Sequence, residues 1–402
     1  MDKTNPTVVV AGAGPVGLAT AYSLAKAGVD VTVLEKGDAI ADAPRAMAYL
    51  FIVHDGFERL GILDDLHVEG LRGDGMNLID YETGEQFHQS LDAIENDVRH
   101  PYTLHLGQDQ VCKVLLRHLS DFDNVEVRFG AEVVGVTPDD DGVTVRVGGP
   151  EGEESIRSAW LVGADGANSI VRRSLGLGFD GITWPDRFIS TNIRADLGAE
   201  GLRIANWRID PVYGAIIAQI TADKLWRFTF RESGELPDEG LEERIHAHFA
   251  IGMPGKAAYE LVQFQPYRMH QRAADTFRVG RVLLAGDAAH ITNPVGGLGL
   301  TGGFLDSFVL SEALAAVIHG RVDDAVLDAY AERRRRVYLD IVSPAASANK
   351  HMLFDAHPPE QKAALLAGLR HSATDRAARR EDLLAMRAMI TPSLLGDAEA
   401  AR

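Results

Sequence analysis

Cysteine is almost absent from this chain, since Cys112 is the single one among 402 residues. A lone cysteine excludes an internal disulfide framework and is typical of a reducing compartment. We therefore expect a cytoplasmic protein in which Cys112 is a packing residue of a helix. The polar segment Met1–Pro6 lacks the pattern of a signal peptide.

Positive charge is also scarce, because 40 Lys and Arg stand against 58 Asp and Glu, a net charge of −18. Nucleic-acid binding needs positive patches, so we expect no nucleic-acid partner. The run Arg333–Arg336 is a local exception, which we interpret as solvated or salt-bridged helix surface. We find no apolar stretch of the roughly 18 residues that a membrane span requires, and we predict no span.

Glycine, in contrast, occurs at informative spacing. Gly12, Gly14 and Gly17 lie between a β-branched run and a run of helix formers. In a dinucleotide-binding βαβ unit these glycines permit a tight turn, a close approach to pyrophosphate and close helix packing. The helix N-terminus then directs N–H groups at the phosphates. Glu35 follows the second predicted strand, where a carboxylate for a free ribose 2′-OH is expected, as in FAD or NAD.

A second informative stretch is Gly286-Asp287, which follows the apolar run 282–285 and precedes Pro294 and a cluster of glycines. It lies far along the chain from the first motif, and both segments are suited to hold parts of one long cofactor. FAD is long enough to reach both. A third motif, Asp165-Gly166, also ends an apolar run.

The pattern of elements predicts an α/β fold: a Rossmann-like FAD-binding domain, a substrate domain walled by a β-sheet, and C-terminal helices. We place the discontinuous FAD-binding domain at 1–75, 101–180 and 278–355. The substrate domain takes 76–100 and 181–277, and a helical segment takes 356–402. We predict a helix at 104–119, a hairpin turn at 139–142 and a helix at 302–316. The tail either packs on the core or contacts a second copy in a homodimer.

The three motifs, in this order, resemble the group A flavoprotein monooxygenases, whose best-known member is p-hydroxybenzoate hydroxylase. The resemblance extends to about residue 350. It implies that the pyrophosphate loop comprises Gly12, Gly14, Pro15, Val16 and Gly17, with Glu35 and Lys36 at the adenosine ribose. It also implies FAD contacts at Arg45, Gln108 and Val133, and a role for Asp165 with both FAD and NAD(P)H.

At the ribityl chain the resemblance implies Gly286 and Asp287, with Asp287 as the hydrogen-bonding acid. Beneath the flavin ring it implies a loop of Pro294, Gly297, Gly299, Leu300 and Thr301. The N–H groups of Leu300 and Thr301 would face flavin N1 and O2, where a helix N-terminus stabilises the negative charge of reduced flavin. Members of the family usually have asparagine where this chain has Thr301. A side-chain amide contact is therefore missing, whereas backbone donation is kept.

The resemblance implies that NAD(P)H, as NADH or NADPH, reduces FAD, and that dioxygen supplies an oxygen atom to a small phenolic or N-heteroaromatic substrate. We expect no metal site. Two alternatives stay open: a flavin oxidoreductase of the same fold that inserts no oxygen, and a flavin-binding protein without turnover. A flavin halogenase is disfavoured because its Trp-x-Trp-x-Ile-Pro motif is absent.

For the substrate pocket we predict Trp207, Ile217, Leu225 and Trp226, with Tyr213 as a weak candidate for orienting or deprotonating a ring hydroxyl. In p-hydroxybenzoate hydroxylase an arginine clamps the substrate carboxylate. The resemblance places Leu225 near that position, with Lys224 or Arg227 as alternatives. We expect a ring without an obligatory carboxylate. His54 and His290 are interpreted as core residues rather than as bases.

Overall fold

The computed structural model describes residues 6–41, 46–149 and 152–396. Its strands, in chain order, are β1 Val8–Ala11, β2 Val31–Leu34, β3 Ala48–Tyr49, β4 Leu71–Gly73, β5 Gly75–Asp80, β6 Gln86–Ser90, β7 Thr103–His105, β8 Val125–Arg128, β9 Glu132–Pro138, β10 Val143–Gly149, β11 Gly152–Ser158, β12 Trp160–Gly163, β13 Phe179–Ala195, β14 Ala205–Ile209, β15 Ala215–Gln219, β16 Leu225–Ser233, β17 Tyr259–Ala274, β18 Arg278–Val279, β19 Val282–Leu284 and β20 His290–Ile291.

The helices are α1 Pro15–Lys26, α2 His54–Leu60, α3 Leu63–Glu69, α4 Gln108–Leu119, α5 Ile170–Ser174, α6 Leu241–Gly252, α7 Leu298–Ile318, α8 Ala325–Val337, α9 Ser343–Phe354, α10 Pro359–Thr374 and α11 Arg376–Ala385. A π-helical segment, Tyr338–Val342, joins α8 to α9, and a 3₁₀ turn, Met386–Met389, follows α11.

A six-stranded sheet, in the order β18-β19-β12-β1-β2-β8, forms the base of the nucleotide-binding part. Apart from β18 at the edge, its strands pair in parallel. The strands β1, β2, β12 and β19 are buried along their whole length, as expected for apolar runs covered on both faces. The neighbouring strands β19, β12 and β1 lead at their carboxyl ends into the three glycine motifs, which therefore meet at one edge of the sheet.

An eight-stranded sheet, in the order β20-β17-β13-β16-β15-β14-β5-β6, forms the second layer. Helix α6 packs on one face around Ile245 and Phe249. The other face carries Met47, from the chain segment before β3, and Val295, from the loop before α7. The strands of this sheet come from 75–90, 179–274 and 290–291. The exact division into domains stays a prediction.

The hairpin is confirmed: β9 and β10 pair antiparallel, and Asp139 Oδ1 accepts hydrogen bonds from the Asp141 and Gly142 N–H groups. The helix predicted at 104–119 is wrong at its start, because Thr103–His105 is a strand between β3 and β4 and α4 begins at Gln108. Helix α7 begins at Leu298, four residues earlier than predicted.

The prediction that the chain has no apolar stretch of membrane-spanning length is wrong, because helix α7 is long and apolar enough to span. Its 21 residues have a mean hydropathy of 1.4 over the most apolar window, and 78% of that window is buried inside the fold. In this fold the apolar composition of α7 is that of a buried core helix. Phe304, Leu310 and Leu314 are wholly buried in the main hydrophobic core.

The C-terminal helices pack on the rest of the chain. Leu366 and Leu369 of α10 contact the cluster around Phe87 of the edge strand β6. Arg370 makes two bonds of 2.8 Å to the carboxylate of Glu85. The described part of the tail therefore covers the open edge of the eight-stranded sheet.

Candidate functional site

The three glycines of the first motif have different surroundings. Gly12 has φ +102°, and a Cβ there would lie 2.5 Å from the Ala164 carbonyl oxygen. A Cβ on Gly17 would lie 2.0 Å from the Gly12 carbonyl oxygen. No atom of the described residues lies within 4 Å of the Cβ position on Gly14. Two glycines thus permit close packing of the chain, whereas Gly14 leaves a gap at the start of α1 that suits a phosphate.

Pro15 and Val16 open helix α1, and Val16 also contacts the second motif. A Cβ on Gly286 would lie 3.0 Å from a methyl of Val16, and one on Gly303 would lie 2.6 Å from it. The N-terminal motif and the Gly286-Asp287 turn are therefore in direct contact, although they are far apart in the sequence.

Glu35 ends β2 and lies beside the first loop. Its carboxylate accepts the Ala13 N–H at 2.9 Å and the Gly37 N–H at 2.9 Å. The Ala131 N–H donates to the Glu35 carbonyl at 2.9 Å, which brings the segment before Val133 against this turn. Lys36 is exposed and Val133 is buried in β9. The residues predicted around adenosine thus lie near one another.

Asp165 caps helix α5, since its Oδ2 accepts the N–H groups of Ile170 at 2.7 Å and Val171 at 3.1 Å. Its Oδ1 is buried without a hydrogen-bond partner among the described residues. Arg172 donates to the Ala288 carbonyl at 2.8 Å and thereby joins this turn to the Gly286-Asp287 turn. One oxygen of Asp165 serves the fold, and the other is available to a ligand group.

The Gly286-Asp287 turn projects an acid from a buried backbone. Gly286 has φ +58°, and its N–H donates to Asp306 Oδ2 at 3.0 Å. Asp287 is exposed between buried neighbours. His290 Nε2 contacts the same Asp306 oxygen at 2.7 Å, and its ring stacks on Tyr338. The interpretation of His290 as a core residue is confirmed.

The loop before α7 contains two consecutive glycines with positive φ, Gly296 at +105° and Gly297 at +67°. Because α7 begins at Leu298, the N–H groups of its first turn, up to that of Leu300, have no partner within the helix. The next N–H, that of Thr301, falls in the regular i→i−4 pattern. The Thr301 hydroxyl donates to the Gly297 carbonyl at 2.8 Å. Free donors are thus expected at Leu298, Gly299 and Leu300, just before Thr301.

A buried polar network, which the sequence did not reveal, anchors this loop. Asn293 donates to Gln271 Oε1 at 2.9 Å and to the Ala346 carbonyl at 2.9 Å. Gln271 in turn donates to the carbonyl and hydroxyl of Ser343 and to the Ser347 hydroxyl. Pro294 therefore follows a residue that is fixed to both β17 and α9.

Two of the predicted FAD contacts, Arg45 and Gln108, lie in or near the segment 42–45. Arg45 lies outside the described residues. Gln108 begins α4, and its N–H donates to the Ala46 carbonyl at 3.1 Å. Met47, next along the chain, packs on Ala218 and Leu225 of the eight-stranded sheet. This segment therefore bridges the two layers close to the position predicted for the flavin.

The predicted pocket residues divide between the two faces of the eight-stranded sheet. Trp207 and Leu225 lie on the face that also carries Val295 and Met47. Ile217 and Trp226 lie on the other face, buried against α6. Side chains alternate along a strand, so neighbours such as Leu225 and Trp226 cannot line the same space.

Tyr213 also lies on the side of α6, because its ring contacts Tyr81 and His248, each at about 5 Å between centroids. Its carbonyl accepts a bond from Arg208 at 2.6 Å. The sheet therefore separates Tyr213 from Trp207, and the two residues cannot line the same pocket.

The face with Trp207 and Leu225 also carries a polar group. Arg227 is buried and donates from Nε to Asn192 Oδ1 at 2.7 Å. Burial lowers the pKa of Arg227 to about 10, and the adjacent Tyr267 partly opposes this shift. Burial raises the pKa of Tyr267 well above its usual value, so the phenol is neutral at pH 7. This face therefore presents a cation and a neutral phenol within apolar surroundings.

The carboxylates of Asp55 and Glu58 and the His100 ring have their ligand atoms within 4.8 Å of one another. Arg99 already pairs with Glu58 at 2.7 Å. The group lies partly exposed beside α2, and we assign no metal to it.

The glycine loop, the acid after β2, the exposed Asp287 and the free start of α7 lie around one edge of the parallel sheet. A gap at Gly14 and the unpaired Asp165 Oδ1 fit a dinucleotide that extends from the adenosine end to a flavin. Fold and site thus define a flavin-dependent enzyme. Bound there, FAD would supply electron transfer from a nicotinamide nucleotide to dioxygen, and the protein would position the cofactor and shield it from water.

Comparison with known proteins agrees with this class. Residues 5–345 match the family described as "FAD binding domain". The chain is 46% identical over 356 residues to 6-hydroxy-3-succinoylpyridine 3-monooxygenase of Pseudomonas putida, covering 88% of this chain and 91% of the relative. It is 40% identical to para-nitrophenol 4-monooxygenase of a Pseudomonas species, covering 95% of each. The crystal structure of p-nitrophenol 4-monooxygenase from Pseudomonas putida superposes with a TM-score of 0.93 at 39% identity, covering 96% of this chain and 98% of that one.

The chain therefore belongs to this family of FAD-dependent aromatic monooxygenases, the group A flavoprotein monooxygenases. It is an NAD(P)H-dependent aromatic hydroxylase, and neither alternative, the oxidoreductase without oxygen insertion nor the binding protein without turnover, is favoured.

Proposed function

We propose that this enzyme inserts oxygen at a ring carbon that already carries a substituent and lies para to a ring hydroxyl. The support comes from the names of two relatives. One is a 3-monooxygenase of a 3-succinoyl, 6-hydroxy ring, and the other is a 4-monooxygenase of para-nitrophenol. In both names the numbered carbon is the substituted one, opposite the hydroxyl. The relatives therefore share a site of attack, although their rings and substituents differ.

The observation that carries the proposal to this chain is the group around Arg227 on the pocket face. Nitro and succinoyl substituents both present oxygens with negative charge or partial charge, which a buried guanidinium binds well. We place the substrate between this sheet face and the loop at 292–297. Trp207 and Leu225 would contact the ring, and Arg227 and Tyr267 its polar groups. Of the three residues considered for the clamp position, Leu225, Lys224 and Arg227, this placement favours Arg227.

The first experiment uses 4-nitrophenol as probe, with the FAD-loaded enzyme, NAD(P)H and air. Attack at the substituted carbon breaks the C–N bond, and nitrite leaves with the bonding electron pair. The ring becomes a quinone, one atom of dioxygen ends in it and the other in water, and one NAD(P)H is oxidised. Release of nitrite in proportion to NAD(P)H consumed supports the proposal. Formation of a nitrocatechol that keeps the nitro group would contradict it.

The second experiment compares two tryptophans on opposite faces of the same sheet. Trp207→Phe is expected to raise the KM for the ring substrate several-fold, because it removes contact area from the pocket. Trp226→Phe is the matched control, which should lower Tm and leave KM unchanged. Arg227→Gln should raise KM by about 10- to 100-fold, in line with roughly 1.5–3 kcal/mol for a hydrogen bond to a charged group. Equal effects of the two tryptophan variants on KM would overturn this placement.

We propose that FAD binds along the edge of the parallel sheet described above. Asp287 would contact the ribityl chain, and the N–H groups at the start of α7, up to that of Leu300, would face the flavin ring. Asp287→Ala should weaken FAD binding by roughly 1–3 kcal/mol. Fluorescence titration of the apoprotein with FAD measures this. Unchanged affinity would remove Asp287 from the site.

We also propose that the enzyme is cytoplasmic, which the lone, buried Cys112 supports. Cell fractionation tests the location.

We further propose that the enzyme is a homodimer, and two exposed apolar residues support this. Val212 and Ile251 are 61% and 60% exposed, and Tyr81 connects them, since its ring contacts Tyr213 and its hydroxyl donates to the Ile251 carbonyl. Light scattering of wild type and Val212→Lys tests the dimer, and a monomeric wild type would exclude it.

A further inference from the structure

Arg334 was predicted, together with its three neighbouring arginines, to lie on a solvated or salt-bridged helix surface. The structure shows instead that its side chain is 1% exposed, within a hydrogen-bonded network. Arg336, two residues on, does follow the prediction, since it is exposed and pairs with Glu332 at 2.7 Å. The buried member of the run therefore requires its own explanation.

The first side of the network leads to the flavin site. Arg334 Nε donates to Asp306 Oδ1 at 2.6 Å, and Nη2 donates to the Gly302 carbonyl at 3.2 Å. The other oxygen of Asp306 holds the Gly286 N–H and His290. Arg334 thus contacts helix α7 directly and, through one carboxylate, the turn that presents Asp287.

The second side leads to the end of the described chain. Arg334 Nη1 donates to the Met389 carbonyl at 2.7 Å and to the Thr391 hydroxyl at 3.2 Å. We call residues 375–391 the C-terminal strap. The outer half of the strap pairs with the segment 92–97: Arg376 with Glu95 at 2.8 Å, and Arg380 Nε with Asp97 at 2.7 Å.

We propose that Arg334 is a positioning residue for FAD, which couples the C-terminal strap to the turn that carries Asp287. A guanidinium has a planar fork, and here it joins a carboxylate and a carbonyl of helix α7 to a carbonyl of the C-terminal strap at once. A lysine ammonium is a compact charge on a flexible stem and cannot reproduce that bridge. The strap therefore completes the flavin site without touching the cofactor.

The direct test is FAD affinity. Arg334→Lys keeps the charge opposite Asp306 but loses the fork, and we expect its dissociation constant for FAD to rise at least 10-fold. Arg336→Met, on the exposed side of the same helix, is the matched control and should bind FAD as wild type does. If Arg334→Lys lowers the Tm of the apoprotein but leaves FAD affinity unchanged, the residue is structural only and the proposal is wrong.

A second test needs no variant that risks misfolding. Coupling is reciprocal, so FAD binding must stabilise the strap if the strap stabilises the FAD site. Hydrogen exchange of the wild-type peptide covering 386–391 should slow when FAD is added to the apoprotein. Thr391→Val, which removes only one hydrogen bond of the network, should reduce that protection. Exchange at 386–391 that does not respond to FAD in the wild type would overturn the proposal.

Discussion

At the scale of the residue, the glycines of the first motif show that identical residues serve different ends. Gly17 is required by the chain itself, because a side chain there would strike the Gly12 carbonyl. Gly14 meets no atom in the part of the chain that the structure describes, so its lack of a side chain serves a ligand. The spacing of the motif predicted a close approach to pyrophosphate at Gly14 and close helix packing at Gly17, and the surroundings of both residues agree with these roles.

This difference predicts opposite results for two equal substitutions. Gly14→Ala should leave the Tm of the apoprotein unchanged or slightly higher, since its backbone is in an ordinary extended conformation. Its FAD affinity should fall on the order of 100-fold, about 2.7 kcal/mol. Gly17→Ala should destabilise the apoprotein by roughly 1–3 kcal/mol or more, because the added methyl overlaps the loop. Thermal unfolding and FAD titration of both variants measure this, and loss of apoprotein stability in Gly14→Ala would contradict it.

At the scale of the element, strands with two covered faces limited what the sequence could predict. The pair Leu225 and Trp226 are both apolar although they face different layers, because the eight-stranded sheet is covered by α6 on one side and by the flavin-binding layer on the other. Polar and apolar residues do alternate from Trp226 to Arg231, but the apolar Leu225 breaks that pattern at the start of the strand and hides which face it takes. Buried parallel strands with glycine turns were predictable, because these features are local.

The packing of helix α2 on helix α7 depends on a glycine at their contact. Gly56 of α2 lies against the Phe308 ring of α7, and a Cβ there would lie 2.0 Å from that ring. Gly56→Ala should therefore cost roughly 1–3 kcal/mol of unfolding free energy. Gly368→Ala, in α10 where no described atom lies within 4 Å of the added Cβ, should instead stabilise the protein by about 0.5–1 kcal/mol. Chemical denaturation of both variants tests this, and effects of the same sign would count against the described packing of α2 on α7.

At the scale of the whole molecule, charged groups find partners that no sequence window contains. Asp306 is the one acid buried deep in an otherwise apolar stretch of α7, and that contrast was a usable signal. Its partners Arg334 and His290 lie on other elements, so the pairing itself was not predictable. The same holds for Gln271 and Asn293, which meet only because β17 and the loop before α7 are adjacent.

Buried histidines predict how stability depends on pH. Burial lowers the pKa of His54 to about 3, of His105 to about 4 and of His248 to about 4, with neighbouring cationic groups adding to the effect at His54 and His248. Below pH about 6.5 the unfolded chain binds protons that the folded chain cannot. Stability should therefore fall as pH decreases from about 6.5 to 4. Tm measured across this range should show a smaller slope in His54→Gln, and a Tm independent of pH would refute the prediction.

The order of strands in the parallel sheet has a consequence for synthesis of the protein. Strand β12 pairs with β1 and with β19, so the three motifs meet only after residues near 284 have left the ribosome. Contacts of such long sequence separation form slowly, because their loop-closure entropy must be overcome first. A nascent chain that ends before β19 therefore lacks the edge at which the flavin binds. The cell can load this enzyme with its cofactor only late in translation or after release.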